Sequence, residues 1–205
     1  MPPARARVVV RDPDAKRRRI LEAARRLLVA RGYADIALDD VAQEAGVAKG
    51  TLFLHYQNKD ELFFAVFSEL VESLRLELEI LGKTGLGGKE LLAALARVLL
   101  GHFDRHRDFL GQVGSGRLPG CGQLSRERLR ELYGRNQELV KSLLAAASSD
   151  GGRSLENADF AAAALIGLCR SACVRKMIEG HDRPLDAEAD RVVGFFLNGS
   201  GLTLT

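Results

Sequence analysis

Apolar residues recur along this chain at spacings of three and four and almost never alternate, a pattern that predicts helix after helix and no convincing strand. A first helix is predicted from about Pro13 to Arg31, with Ile20, Ala24, Leu27 and Leu28 on one face and Arg17, Arg18, Arg25 and Arg26 largely off it. Gly32 closes it, as a residue that accepts a left-handed backbone after a helix. A short second helix over about Leu38 to Ala45 carries Leu38, Val41, Ala42 and Ala45 on one side, and Gly46 stops it. A third starts two or three residues later and runs from about Ala48 to Tyr56. Asn58, with Glu61 three residues on, is a capping-box start for a fourth helix. Its stripe of Leu62, Phe63, Val66, Phe67, Leu70 and Leu74 continues towards Leu81.

Gly82, Gly85, Gly87 and Gly88 then break the chain before a fifth helix over about Lys89 to Leu110. Residues Gly111 to Gly122, rich in glycine and containing Pro119, read as a loop with room for one short helix. A long helix follows from the cap candidate Ser125 to about Ala147, with Leu129, Leu132, Tyr133, Leu139, Val140 and Leu143 inward. After a turn over Ser148 to Arg153, a helix of small residues is expected over about Leu155 to Glu179. Gly180 and Pro184 punctuate the chain before a last helix over about Leu185 to Leu197. The expected fold is all-α, with about nine helices.

Composition narrows the class. The 205 residues are 46% hydrophobic and 28% charged, which suits a globular core, and only 6% aromatic without Trp, which favours helix over sheet. The longest strongly apolar stretch without a charge is the ten residues from Phe160 to Cys169. A bilayer-spanning helix needs about 20, so no membrane role is expected. Near the N-terminus only Val8-Val9-Val10 separates Arg5 and Arg7 from Arg11, too little for a signal peptide. The chain is therefore expected to be cytoplasmic. Cys121, Cys169 and Cys173 follow no framework spacing and read as reduced thiols.

The net charge of +3 hides an asymmetry: residues 1–34 hold ten basic and three acidic residues, while the rest is close to neutral or slightly acidic. A basic N-terminal segment on a near-neutral body suits contact with a polyanion there. The stretch Leu38 to Tyr56 adds a geometry. Two short helices joined through Gly46 have the outline of a helix-turn-helix, whose second helix enters the DNA major groove. Ala42 lets the helices approach, Val47 plugs the gap, and Leu52 and Tyr56 anchor the second helix. Lys49, Gly50, Thr51, Phe53, Leu54 and His55 are left on or near its outward face. An ordinary helical corner in a bundle has the same outline, and the basic first helix brings the two readings level.

The residues Gly32-Tyr33, Val41-Ala42, Ala45-Gly46-Val47-Ala48-Lys49-Gly50-Thr51-Leu52-Phe53 and Asn58-Lys59-Asp60-Glu61-Leu62 together closely resemble the N-terminal signature of TetR-type transcriptional regulators, in order and spacing over about residues 14–65. The resemblance implies an N-terminal three-helix DNA-binding domain over residues 1–60 and a helical effector-binding and dimerisation domain over 61–205. It implies that Lys49 reaches phosphate or a guanine edge, that Gly50 admits the DNA backbone, and that Thr51 bonds phosphate or touches a thymine methyl. His55 falls where a backbone contact is common, and Lys59 matches a phosphate-contacting lysine. Arg17 and Arg18, with the arm, would add long-range attraction. Three positions depart from the family habit: Ala37 stands where Thr usually caps the second helix, Ala48 where Ser is common, and Phe53 where Tyr is usual. A missing Ser/Thr cap costs about 0.5–2 kcal/mol, and Asp39 and Asp40 offset part of it through the helix dipole. With up to three phosphate donors missing and an arginine-rich helix supplying affinity, binding is expected to be unusually salt-sensitive.

No Walker loop, nucleophile elbow or zinc-protease motif occurs, so no enzyme activity and no cofactor are expected. A helical scaffold without specific DNA binding is the alternative class, and the block Gly46 to Thr51 is what separates the two. His102 with His106, and Cys169 with Cys173, have the i, i+4 spacing of a ligand pair. A buried or solvated structural role is the stronger reading, and no metal is expected. The family likeness leads instead to a small organic effector in an apolar cavity, with Phe67, Leu99, Phe103, Phe109, Leu132, Tyr133 and Cys169 as candidate walls. The small residues Ala161 to Ala164, Gly167, Cys169, Ser171, Ala172 and Cys173 suit close helix packing, and a homodimer through the last two helices is expected on a palindromic operator. Repression relieved by ligand is the family's usual habit.

Overall fold

A computed structural model describes residues 13–114, 123–149, 157–180 and 183–199. Every regular element among them is helical: α1 (Pro13–Arg31), α2 (Leu38–Ala45), α3 (Lys49–His55), α4 (Lys59–Gly82), α5 (Gly88–Arg105), α6 (Arg107–Gly114), α7 (Gln123–Ser149), α8 (Ala158–Glu179) and α9 (Ala189–Asn198), with a 3-10 turn over Leu185–Glu188. No described helix is long and apolar enough to cross a membrane. The arm with Arg5, Arg7 and Arg11, residues 115–122 with Cys121, and most of the predicted turn at 148–153 lie outside the described residues. The chain forms two compact units and passes from one to the other within α4, after Val66.

The first unit is built on the predicted faces. Ile20, Ala24, Leu27 and Leu28 of α1 are buried together with Leu21 and Ala23, and Val41, Ala42 and Ala45 of α2 join them. Leu52 and Tyr56 are buried, as are Leu62, Phe63 and Val66 at the start of α4. Asn58 starts α4 by accepting from the Glu61 N–H at 2.8 Å, while Glu61 reaches back to the Gln57 N–H at 2.9 Å, one residue before the partner a capping box would give it.

The second unit is a leucine-rich helical core. Leu74, Leu78 and Leu81 of α4, Leu91, Leu95, Leu99 and Phe103 of α5, Val140, Leu143 and Leu144 of α7, and Leu165, Cys169 and Cys173 of α8 belong to one cluster, joined by Leu185 and Val193. The predicted fifth helix is two helices. His106, at φ −114° and ψ 14°, ends α5, and its N–H turns to the Asp104 and His102 carbonyls. No Gly or Pro marks that break because its cause is tertiary: the Asp104 carboxylate is held by Lys176 of α8 at 2.8 and 2.9 Å and lies 3.4 Å from the Leu185 N–H. The expected loop after Leu110 is helical as far as Gly114. The predicted last helix opens as a 3-10 turn before α9, and Asn157 caps α8 by accepting from the Phe160 N–H at 3.0 Å.

Candidate nucleic-acid interface

The turn between α2 and α3 is held from three sides. Gly46 takes φ 61°, and its N–H and that of Val47 return to the carbonyls at the end of α2, with Gly46 to Gln43 at 3.1 Å and Val47 to Ala42 at 3.0 Å. Arg19 of α1 donates to the Ala45 carbonyl at 2.5 Å and the Gly46 carbonyl at 2.8 Å, so a cation caps the negative end of α2. Arg26 bonds Glu44 through two nitrogens at 3.0 and 3.2 Å. Arg19 and Arg26 lie seven residues apart, two turns along one face of α1, and that spacing was the sequence signal for this clamp. At the other end of α2, Ala37 has no side-chain oxygen to cap the helix, but Asp40 accepts from the Ala37 N–H at 2.9 Å. Half of a capping box is therefore present, beyond any dipole effect.

These ties present α3 with a divided surface. Leu52 is fully buried and Tyr56 nearly so. Phe53 is 41% exposed and Leu54 87% exposed. Lys49, Gly50 and His55 are exposed and Thr51 is half-buried. A Cβ added at Gly50 would meet nothing within 4 Å, so the fold itself does not require glycine there. Lys49 Nζ sits 2.7 Å from Asp39 Oδ2 and 5.8 Å from the centre of the Phe53 ring. At the start of α4, Lys59 Nζ donates to the Ala34 carbonyl at 3.2 Å and lies 4.3 Å over the ring of Tyr33. That ring packs edge-on against Phe63, and its hydroxyl donates to Asp60; burial first, and then the Asp60 carboxylate, push the phenol's pKa up.

Arg17 and Arg18 are exposed on α1. Arg25 of the same helix pairs with Glu22 at 3.3 Å, Arg26 is engaged as above, and Arg31 lies 3.8 Å from Asp40. All nine candidate DNA-binding residues thus fall in the first unit. Six of them share α3, where a lysine, an imidazole, a hydroxyl and an exposed apolar pair form a surface able to meet both phosphate and base edges.

The candidate effector residues divide. Phe67, Phe109 and Tyr133 come together: the Phe67 and Phe109 rings stack at 6.4 Å, and Phe67 and Tyr133 lie 5.9 Å apart. Leu99, Phe103 and Cys169 sit in the leucine-rich cluster, and Leu132 is half-buried on α7. Tyr133, expected inward, is 48% exposed. An open groove of about 950 Å³ between α4 and α7 is lined by Glu72, Arg75, Glu79, Glu131, Gly134, Arg135, Glu138 and Leu139, none of which is among those candidates. Its charges are partly satisfied, since Arg75 pairs with both Glu72 and Glu79.

The two ligand-spaced pairs are also placed. His102 is buried with Nδ1 3.4 Å from Glu77 Oε1, and burial outweighs that carboxylate and lowers the imidazole's pKa. Arg105 holds the same Glu77 at 2.5 and 2.6 Å. The Cys169 thiol is pushed up to about 12 by burial; that of Cys173 is also raised by burial, and its S–H faces the Phe103 carbonyl at 3.4 Å. Thiols held protonated are poor metal ligands and poor nucleophiles. Among the described residues no group of three His, Cys, Asp or Glu side chains could hold a metal ion. The small residues of α8 split between two sides: Ala162, Cys169 and Cys173 face the core, while Ala163, Gly167 and Ser171 face out beside Val174 and Ile178.

Known proteins align with both parts of the chain. The family model described as bacterial regulatory proteins, tetR family, matches residues 20–66. A second, described as the C-terminal domain of AefR-like transcriptional repressors, matches residues 110–197. The HTH-type transcriptional regulator SrpR of Pseudomonas putida is 35% identical over 72 residues, which are 35% of this chain and 34% of SrpR. The regulator TtgR of the same species is 42% identical over 62 residues, 30% of each chain. The chain thus spans about a third of the length of these relatives. The solved structure of the regulator FadR from Bacillus subtilis in complex with stearoyl-CoA superposes with a TM-score of 0.76 over 89% of this chain and 98% of that one, at 20% identity, a likeness of fold.

Proposed function

This chain belongs to the bacterial TetR family of regulatory proteins, and from that membership we propose that it is a DNA-binding transcriptional repressor released from a palindromic operator by a small organic effector. The observation that carries the DNA-binding half is the open space at Gly50. Glycine weakens a helix interior by about 1 kcal/mol relative to alanine, and no atom of the described fold needs the room. A surface that a DNA backbone approaches does need it. Around it, Lys49 meets phosphate or a guanine edge, Thr51 bonds phosphate or touches a thymine methyl, Lys59 contacts phosphate, Leu54 lies on the same outward face, and His55, Arg17 and Arg18 add backbone contacts and attraction. Phe53 keeps a ring and lacks the phenolic donor. Residues up to about 60 form the DNA-binding domain, and the remainder binds the effector and dimerises.

The homodimer reading is supported by the outer sides of the last two helices. Ile178 is 80% exposed, and Val174, Phe195 and Leu197 are each about half exposed, an apolar surface on α8 and α9 that a second copy would cover. Gly167 has open space where a Cβ would stand, which admits a partner helix. The effector reading is supported by the aromatic trio Phe67, Phe109 and Tyr133 and by a second family model of repressor type. The setting is the cytoplasm, where the operator is.

Fluorescence titration against DNA from just upstream of the coding region, at two salt concentrations, tests the central reading. Wild type is expected to bind with a steep salt dependence. Lys49→Ala is expected to weaken binding by about 1–3 kcal/mol, and Phe53→Tyr to tighten it by restoring a donor. Absence of salt-dependent binding to any DNA would overturn the reading.

A further inference from the structure

Asn136 lies inward on α7 and is 6% exposed. Its Nδ2 donates to the Val71 carbonyl of α4 at 3.0 Å, which fixes the amide, since the opposite rotamer would set oxygen against oxygen. The other end of the amide, Oδ1, is buried, and among the described residues no donor reaches it. Buried polar atoms are nearly always paired, so an orphan acceptor at this place calls for a physical cause. Packing does not supply one: Val140 and Leu143 continue the same side of α7 with aliphatic side chains, and a leucine at 136 would serve a purely apolar core better.

The neighbourhood gives the cause. Helices α4 and α7 run past each other in rungs. One rung is Phe67 with Tyr133, at 5.9 Å between ring centres, and the next, a turn along both helices, is Val71 with Asn136. Phe109 of α6 stacks on Phe67. An unpaired acceptor thus stands one turn from an aromatic trio. We propose that Asn136 Oδ1 anchors the effector, and that the effector is an apolar or aromatic molecule bearing an uncharged hydrogen-bond donor: a phenol, an alcohol or an amide N–H. This rests on the reading of the second unit as an effector domain and names the ligand chemistry it selects.

The donor class follows from what the site offers. An amide oxygen accepts, so an ionised carboxylate, which has no proton to give, gains nothing there. An ammonium could donate but would lose its hydration beside a neutral amide. A neutral donor satisfies the acceptor without burying a charge, and the three rings receive its apolar body. A site built to pair a hydroxyl discriminates strongly against an analogue lacking it.

Three probes with the same body separate the possibilities: 4-hexylphenol, hexylbenzene and 4-hexylbenzoate, read by thermal unfolding of the full-length protein and by binding calorimetry. The phenol is expected to raise the wild-type Tm and to bind at least ten-fold more tightly than hexylbenzene, with the benzoate weakest. Asn136→Leu is expected to unfold at or above the wild-type temperature and to lose the phenol's advantage over hexylbenzene. Asn136→Ala, which opens space instead of filling it, is expected to lose the same advantage. Equal affinity of phenol and hexylbenzene for wild type, an advantage that survives in both variants, or a Tm for Asn136→Leu several degrees below wild type would overturn the proposal. The last of these would mean that Oδ1 already has a partner such as a bound water. None of these readouts involves DNA, so release of DNA by a bound molecule tests the parent reading separately.

Discussion

In residues 13–66 every buried side chain is aliphatic or aromatic, and the charges lie outside, tying helix to helix: Arg19 to the end of α2, Arg26 to Glu44, Lys49 to Asp39. The second unit reverses this. Its described core encloses His102, Asn136 and Lys176 among leucines. The difference teaches where each unit does its chemistry. A surface that meets a polyanion needs a dry, apolar scaffold beneath it and polar groups free to exchange one partner for another at small cost, because exposed ion pairs contribute only about 0–1 kcal/mol. For the effector role proposed for the second unit, polar groups held inside matter because each pairing there changes stability by much more.

The largest test of that contrast is the Lys176–Asp104 pair. Lys176→Met leaves a part-buried carboxylate that keeps, among the described residues, Arg107 at 3.3 Å and the Leu185 N–H at 3.4 Å, and is expected to cost about 1.5–3 kcal/mol in urea unfolding. Replacing both partners, Lys176→Met with Asp104→Leu, is expected to restore most of the loss, because no charge is then stranded. The equivalent break in the first unit, Asp39→Ala against the exposed Lys49, is expected to change stability by less than about 1 kcal/mol. Equal losses from the two breaks would remove the distinction between the units.

The second test sets two glycines of the same motif against each other. Gly46→Ala forces an L residue to φ 61° and brings its Cβ to 2.9 Å from Arg19 Nη2, and is expected to cost about 1–2 kcal/mol. Gly50→Ala, helical and in open space, is expected to stabilise the unit by up to about 1 kcal/mol and yet to weaken DNA binding. The first glycine would then serve the fold and the second the ligand. Thermal unfolding and the same fluorescence titration give both numbers.

How much of this was legible depends on where the cause of each feature lies. The limits of α1 and α2 were readable because Gly32 and Gly46 end them by local backbone chemistry, and Asn58 with Glu61 marked the start of α4 in the same way. The outward face of α3 followed from subtracting Leu52 and Tyr56, whose burial periodicity alone predicts. The break at His106 was invisible, because it answers to Lys176 and Leu185, seventy or more residues further along the chain. The inward polar groups were hidden for the same reason: Asn136 occurs among charged and polar neighbours in sequence and Lys176 follows another cation, Arg175, and only the fold turns them inside. The arginine clamp lay between these cases, since the seven-residue spacing of Arg19 and Arg26 was readable but its target was not. Small residues on α8 suggested one packing face, where the structure divides them between the core and the outside.

A smaller effect distinguishes the units by acidity. Burial lowers the His102 pKa in the folded chain against about 6.5 unfolded, with Glu77 and Arg105 also acting on it. The unfolded state therefore binds a proton first as pH falls, so the stability present above about pH 6.5 declines below it towards the folded pKa. His102→Leu is expected to flatten the Tm profile between pH 7 and 5.5. An unchanged slope in His102→Leu would mean that the buried imidazole does not set it.

The smallest expected effect lies at Ala37, and it bears on both roles of the first unit. Its backbone, at φ −101° and ψ 155°, already has the extended geometry of a cap, and Asp40 already accepts from its N–H. Ala37→Ser would supply the missing oxygen to the first free amides of α2 and complete the box, which is expected to add about 0.5–1 kcal/mol to stability. The same hydroxyl would stand at the N-terminal end of the motif, where the family usually carries Thr, as a donor for a phosphate. A gain in stability with no change in DNA affinity would limit Ala37 to helix capping. A gain in both, with the increase in affinity persisting at the higher salt concentration, would mean that the hydroxyl bonds phosphate directly, since one neutral hydrogen bond leaves the number of displaced counterions, and hence the salt slope, unchanged.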